Sequence, residues 1–248
     1  MDLFASPKAL LSKADKHITE LRSAEQKYFS APGTCKKTTE TDPATGEQVL
    51  KVKMNGNVPL SIACIAFDAV NELRAALDHA VFSACSALGH VSKPQNIKFP
   101  FGDSFLDAKK QLQESKQIPE FLWDHLLNFE PYKTGSNILW GFNKIRNRKI
   151  HRMLVPYAAM NQSIAVIGTG SIGSLQSMND WDGEALELTY ARGRNINIQL
   201  DITFCSAFDP ETELAKHRVA QTLERIAEVT TQVIAVLESQ TADTKKSA

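Results

Sequence analysis

The sequence lacks net charge, a cysteine pair motif and any long apolar run. Lys plus Arg and Asp plus Glu each number 28, so no global field draws the chain to nucleic acid or to a membrane surface. No apolar run approaches the roughly 20 residues that span a bilayer, and the N-terminus "MDLFASPKALLSKADKH" has no signal-peptide pattern. These absences predict a soluble, cytoplasmic protein without a membrane partner, in which electrostatic recognition is local.

The cysteines are spaced too widely for a zinc or redox centre of the C-x-x-C type. They are Cys35, Cys64, Cys85 and Cys205, and three of them lie in apolar contexts. We therefore expect buried free thiols, which fits a reducing cytoplasm.

Metal ligands also lack a recognisable spacing. Four residues with ligating side chains fall on predicted helices: Asp78, His79, His125 and His151. They form no E-x-x-H or H-E-x-x-H pattern. We therefore expect no metal and no other cofactor.

The segment "SIAVIGTGSIGS", residues 163–174, contains the spacing Gly168-x-Gly170-x-x-Gly173 of a dinucleotide-binding turn. That turn must lead into a helix, whose N-terminus binds the pyrophosphate. Here "SLQSMNDWDGE" follows, which favours turns, and alternating strands come after it. The segment therefore predicts a strand and a glycine turn in an antiparallel sheet, without a dinucleotide.

Apolar residues at helical spacing predict most of the chain to be helical. The predicted helices cover residues 7–29, 60–88, 104–114, 118–127, 137–154 and 210–239. Between the first two, residues 30–47 are rich in turn formers and precede the short strand pattern "GEQVLKVKM", which indicates a loop or hairpin.

Strand patterns lie between the last two helices. In "RNINIQLDITF" apolar and polar residues alternate, as they do from Leu186 to Tyr190, and "ARGR" between these runs predicts a hairpin turn. The fold class is α+β, mainly α: a helical bundle with an inserted small antiparallel β-sheet. We expect one domain over residues 1–248, with the bundle at 1–154 and 208–240, the insertion at about 155–207 and a disordered tail at 241–248.

The predicted helix 137–154 contains the basic stretch "KIRNRKIHR". At helical spacing, Arg146 interrupts an apolar stripe formed by Leu139, Phe142, Ile150 and Met153. An unpaired buried charge is too costly to persist, so Arg146 must reach a carboxylate, a ligand phosphate or a cleft. Asn143, Asn147 and His151 lie round the same flank, so one concave polar surface is expected.

A partner for this surface is expected on the helix 60–88, in "NELRAALDHA". Asn71, Arg74 and Asp78 lie on one flank of that helix. Asp78 would pair with Arg146 or orient His151. Together these side chains would form a polar cluster across two packed helices.

Arg146, Asn147 and His151 form the sequence R-N-x-x-x-H, which resembles the R-polar-x-x-x-H signature of the HEPN superfamily of helical-bundle ribonucleases and toxins. The resemblance implies two copies of the motif facing each other across a homodimer, and RNA as substrate. Further segments, "LRAALDHAVF", "FPF", "FEPYK" and "RNRKIHRML", resemble a group of uncharacterised bacterial proteins that supplies no function.

The residue types suit RNA cleavage without metal, in which the 2′-hydroxyl attacks the adjacent phosphorus. Histidine ordinarily titrates near neutrality, so His151 would act as base or acid, while Arg146 would bind phosphate oxygens and Asn147 would hold the phosphate. Arg74, Asp78 and Asn143 would support these residues. The RNA backbone would be held by Lys144, Arg148, Lys149 and Arg152. A defence or toxin role, with an antitoxin or defence partner, follows from the resemblance.

The alternative belongs to another class of protein. Arg146 and Asp78 would then form a structural ion pair in a non-catalytic bundle that binds a partner or a small ligand. The basic run of residues 144–152 would be a solvated face.

Overall fold

The computed structural model describes residues 2–41, 43–44, 48–55, 57–149, 157–167, 174–175, 186–190, 197–209, 211–215 and 217–247. The helices are α1 (Ala5–Phe29), α2 (Leu60–Ala87), α3 (Phe105–Ser115), α4 (Trp123–Leu127), α5 (Asn137–Lys149) and α6 (Val219–Ser247). The strands are β1 (Cys35–Thr41), β2 (Gln48–Met54), β3 (Tyr157–Ile167), β4 (Ser174–Leu175), β5 (Leu186–Tyr190) and β6 (Asn197–Ala207). The predicted α-rich fold is confirmed.

Three long helices, α1, α2 and α6, pack against one another and form the centre of the bundle. The middle helix, α2, has a stripe of small and branched apolar side chains at helical spacing, among them Ala69, Leu73 and Ala80, none of which is exposed. Leu21 of α1 and Leu223 of α6 are equally buried. Small side chains on α2 let its neighbours approach closely, and burial of this stripe is the main stabilising term.

Helix α5 packs against both α2 and α6. Its buried face is formed by Leu139, Phe142 and Ile145, each 1% exposed. Arg146 is half-buried beside this face rather than within it, so the predicted stripe that ran from Phe142 to Arg146 is wrong by one residue at that point. Ile145 takes the core position because it continues the i, i+3 spacing from Leu139 and Phe142.

The strands pair in an order that differs from the predicted hairpin. β3 pairs antiparallel with β6, from Tyr157 opposite Ala207 to Ile167 opposite Asn197. β5 pairs antiparallel with β2 and β4, in a sheet of order β1-β2-β5-β4. The expected β5–β6 hairpin is therefore wrong, because β2 and β4 occupy the two edges of β5 and β6 pairs with β3.

The sheet is also not confined to the insertion at about 155–207, since β1 and β2 belong to the first part of the chain. The three glycines of the dinucleotide-like segment, Gly168, Gly170 and Gly173, lie outside the described residues. The strand before them, β3, is antiparallel to β6. A dinucleotide-binding turn follows a parallel strand, so the described pairing agrees with the absence of such a site.

The last helix begins later and ends later than predicted. Residues before it form turns, in which Asp209 accepts a hydrogen bond from the Glu211 N–H at 2.8 Å, and α6 begins only at Val219. It continues to Ser247, so the segment expected to be a disordered tail is helical there. Thr241 is 3% exposed, and its hydroxyl donates to the Leu237 carbonyl at 2.9 Å. In the described parts of the chain no helix has both the length and the apolarity to cross a membrane.

Candidate functional site

The carboxylate of Asp78 forms an ion pair within its own helix. Arg74, four residues earlier on α2, donates through NH1 to Asp78 Oδ1. The same oxygen accepts the backbone N–H of Phe99 at 2.8 Å. Asp78 therefore attaches the segment around Phe99 to α2, and its charge is already neutralised.

Arg74 is buried between this carboxylate and an aromatic ring. It is 9% exposed, and its guanidinium carbon lies 4.6 Å from the centroid of the Phe101 ring. Burial lowers the pKa of Arg74 from its ordinary value, Asp78 opposes that shift, and the positive charge of Arg146 lowers the pKa further. Arg146 thus lies close enough for its charge to act on Arg74.

The guanidinium of Arg146 is incompletely satisfied. Its NH1 donates to Asn147 Oδ1 at 3.4 Å, at the outer limit of a hydrogen bond. Its Nε is buried and has no hydrogen-bond partner among the described residues. Within the described residues Arg146 forms no ion pair, and the nearby carboxylate of Asp78 is paired with Arg74 instead.

The expected pair between Asp78 and Arg146 is therefore wrong. Arg74 lies one turn before Asp78 on the same helix, at the usual i, i+4 spacing of an ion pair. This pair within α2 forms instead of a pair between Asp78 and Arg146. The other expected role of Asp78, to orient His151, concerns a residue outside the described parts of the chain. The charge of Arg146 on α5 nevertheless acts on Arg74, the partner of Asp78 on α2.

Lys144 is engaged by a residue that the sequence did not single out. Its Nζ lies 2.7 Å from Asp103 Oδ1, and the Trp140 indole N–H donates to the same oxygen at 2.7 Å. These two hydrogen bonds, from Lys144 first, lower the pKa of Asp103. Part of the charge of Lys144 is therefore already balanced by Asp103.

The remaining expected site residues are distributed unevenly. Asn143 is half-buried and Asn147 is exposed on α5. Arg148 and Lys149 end this helix, and only their backbone is described. His151 and Arg152 lie outside the described residues. No group of three or more His, Cys, Asp or Glu side chains with metal-binding placement occurs within the described parts of the chain.

A second polar region, a cavity of about 610 Å³, was missed in the sequence. It lies where α1, the end of β6 and the start of α6 meet, and its lining includes Glu25, Ser206 and Arg218. Its lining residues are distant along the chain, which hides the cavity from sequence patterns. One signal was present: Glu25 follows Ile18 and Leu21 on the apolar stripe of α1 and is 7% exposed.

Comparisons of the chain with protein-family models, with curated proteins and with solved structures find no match.

Proposed function

We propose that the protein is a metal-independent endoribonuclease of the HEPN type that acts as a cytoplasmic homodimer. The supporting observation is the guanidinium of Arg146, whose Nε is buried near the charge of Arg74 and has no partner in the part of the chain that the structure describes. A structural arginine at such a position normally has a carboxylate. A phosphate group of RNA would supply the missing negative charge and hydrogen-bond acceptors.

The proposed reaction uses the 2′-hydroxyl of the substrate as nucleophile. His151 removes its proton, the 2′-oxygen forms a bond to the adjacent phosphorus, and the bond to the 5′-oxygen breaks. A protonated imidazole, from the second copy of the motif, gives a proton to the leaving 5′-oxygen. Arg146 stabilises the extra negative charge on the phosphorane, and the products are a 2′,3′-cyclic phosphate and a 5′-hydroxyl.

The surrounding residues would hold the RNA. Asn147 is exposed next to Arg146 and would bind a phosphate oxygen through its amide N–H. Lys144, Arg148, Lys149 and Arg152 would contact the backbone, which gives affinity without sequence preference. A chain without net charge would thereby bind RNA at one local basic surface.

The alternative is a non-catalytic bundle that binds a partner or a small ligand. One basis of this alternative, the ion pair between Arg146 and Asp78, is absent, because Arg74 occupies Asp78. The cavity of about 610 Å³ beside Glu25 favours what remains of it, the binding of a small ligand. The two functions use different residues and are tested separately.

The test of the ribonuclease compares purified variants on generic single-stranded RNA with excess EDTA. The wild type should cleave, whereas His151→Ala and Arg146→Ala should lose at least about a hundredfold in rate, the usual contribution of an acid–base group or a charge-stabilising group. His90→Ala, which changes an exposed histidine, is the matched control and should retain full activity. Equal cleavage by His151→Ala and wild type, or no cleavage by folded wild type, would refute the proposal.

The proposed homodimer and defence role have their own measurements. Light scattering should give a mass near twice the 27.4 kDa of one chain. Expression of the wild type in a bacterial host should slow growth and shorten cellular RNA, and His151→Ala should do neither. A monomeric wild type that cleaves RNA would contradict the dimeric site and leave the chemistry in place.

A further inference from the structure

The cavity of about 610 Å³ lies away from α5 and is lined by α1, β6 and α6. Its volume falls within the range of about 300–1,000 Å³ that is usual for small-molecule sites. Phe29 forms part of its wall, and the rest consists of charged, polar and small residues from α1, β6 and the start of α6. A pocket with an aromatic wall and few converging polar groups has the composition of a ligand site.

Two of the charged lining residues neutralise each other. Arg22 donates through Nε to Glu224 Oε1 and through NH2 to Glu224 Oε2, the latter at 2.5 Å. This bidentate pair joins α1 to α6 across the cavity and uses both oxygens of the carboxylate. It leaves Arg218 and Glu25 as the charged residues available to a ligand.

Arg218 is a cation at an unfavourable position for its own helix. It precedes Val219, the first residue of α6, and the first turn of α6 has no acidic residue. A positive side chain there adds to the positive end of the helix dipole, and the first backbone N–H groups lack intrahelical acceptors. Within the described residues no carboxylate pairs with Arg218, so an anion would satisfy both the guanidinium and the helix end.

Glu25 supplies the second polar group. It is 7% exposed, and its Oε1 accepts the Ser206 backbone N–H at 3.1 Å and also the Ser206 hydroxyl. Its other oxygen, Oε2, forms no hydrogen bond with any described residue. Because Glu25 lines the cavity, this oxygen is available to a donor group of a ligand or of water.

Cys205 shows that these groups share one space. Arg218, Glu25 and Arg22 all act electrostatically on its thiol, whose pKa burial raises to about 11. The cation and the carboxyl are therefore grouped round one residue and would contact opposite ends of a single small molecule.

We propose that this cavity binds a small organic acid. Its carboxylate or phosphate group binds Arg218 and the first turn of α6, and its hydroxyl or amide group donates to Oε2 of Glu25. The carbon skeleton packs against the ring of Phe29. This site shares no residue with the proposed ribonuclease site, so the two stand or fall separately.

The test uses acids and their uncharged counterparts on the full chain without RNA. The pairs are malate and dimethyl malate, glucose 6-phosphate and glucose, and AMP and adenosine, with inorganic phosphate as a further probe. At least one acid should raise the melting temperature in a saturable manner and bind by calorimetry, while its uncharged counterpart does neither. Comparison of malate with glucose 6-phosphate and AMP shows whether the site prefers a carboxylate or a phosphate group.

Variants then assign the contacts. Arg218→Gln should weaken binding about tenfold or more, and Glu25→Gln about three- to tenfold, as expected for hydrogen bonds to charged groups. Arg225→Gln, an exposed arginine of the same helix, is the matched control and should bind as the wild type does. Circular dichroism verifies folding, and Arg218→Lys provides a second, milder change that should bind with intermediate affinity.

Three results would overturn the proposal. The first is that no acid of the panel stabilises the protein. The second is that the best acid binds Arg218→Gln as tightly as it binds the wild type. The third is saturation by inorganic phosphate with no gain from any organic acid, because that would leave Glu25 and Phe29 without a role.

Discussion

Asp78 forms its ion pair with Arg74 on the same helix, and no carboxylate of the described residues pairs with Arg146 on the neighbouring helix. Asp78 and Arg146, which the sequence predicted to act together, therefore have different roles. Asp78 and Arg74 attach the segment at Phe99 and Phe101 to α2. Arg146 contributes charge that the described fold does not neutralise, which is why we assign a functional role to Arg146 rather than to Asp78.

Removing the carboxylate of Asp78 should destabilise the fold. Asp78→Ala leaves the buried Arg74 guanidinium and the Phe99 N–H without an acceptor, so we expect a loss of about 2–3 kcal/mol in the free energy of unfolding. Urea denaturation measures it. Asp68→Ala, an exposed aspartate of the same helix, should change stability by less than about 0.5 kcal/mol. A loss no larger in Asp78→Ala than in Asp68→Ala would contradict the role.

Removing the charge of Arg146 should not lower the free energy of unfolding. Arg146→Met deletes a buried Nε that lacks a partner and relieves repulsion with Arg74, so stability should stay level or rise by up to about 1 kcal/mol. RNA cleavage by the same variant should fall. A stability loss above about 1 kcal/mol would show that Arg146 is a structural residue with a partner, against the proposed role.

The helices of this fold could be predicted from the sequence, and the strand order could not. The stripe around Leu73 on α2 is a local pattern, fixed by spacing within one segment. The pairing of β5 with β2 depends on strands far apart in the chain, and alternation of apolar residues does not specify a partner. The predicted hairpin paired β5 with β6, the strand nearest to it in the sequence. In the structure β5 pairs with β2 and β4 instead.

The candidate sites show the same division. Asp78 and Arg146 were predicted to pair across two helices, with Arg74 as a supporting residue. The Arg74–Asp78 pair was overlooked, although its i, i+4 spacing was visible. The cavity joins Glu25 to Arg218 through tertiary packing alone, and only the misplaced charge of Glu25 on the stripe of α1 indicated it.

The stability of the fold should depend on pH through Glu25. Burial, the largest effect, raises its pKa above the ordinary value of 4.5, and the hydrogen bonds from Ser206 oppose the shift. The folded state then holds the proton more tightly than the unfolded state, so stability falls as pH rises from about 4.5 to the folded pKa and is level above it.

Glu25→Gln removes this titration and retains an acceptor for Ser206. The free energy of unfolding of the variant, minus that of the wild type, should therefore increase as pH rises above about 4.5. Urea denaturation at several pH values between 4.5 and 7.5 measures the difference. Glu228→Gln, an exposed glutamate on α6, should give a difference without slope. A flat or falling curve for Glu25→Gln would show that its folded pKa is not raised.

The thiols should react in the order of their exposure and pKa. Cys64 is an exposed free thiol, which corrects the expectation that the thiols are buried, while burial raises the pKa of Cys85 to about 12 and that of Cys205 to about 11. The thiolate is the nucleophile, and each unit of pKa lowers its population about tenfold. With iodoacetamide at pH 8, Cys64 of the folded protein should therefore be alkylated at least about tenfold faster than Cys85 or Cys205.

Peptide mass spectrometry at timed intervals resolves each thiol, with Cys35 followed on its own peptide. In urea the rates of Cys64, Cys85 and Cys205 should converge, because unfolding removes the burial that raises the two pKa values. Cys64→Ser should remove the fast reaction and leave the rates at Cys85 and Cys205 unchanged. Alkylation of Cys85 at the rate of Cys64 in the folded protein would mean that α2 opens at this position, against the packing described.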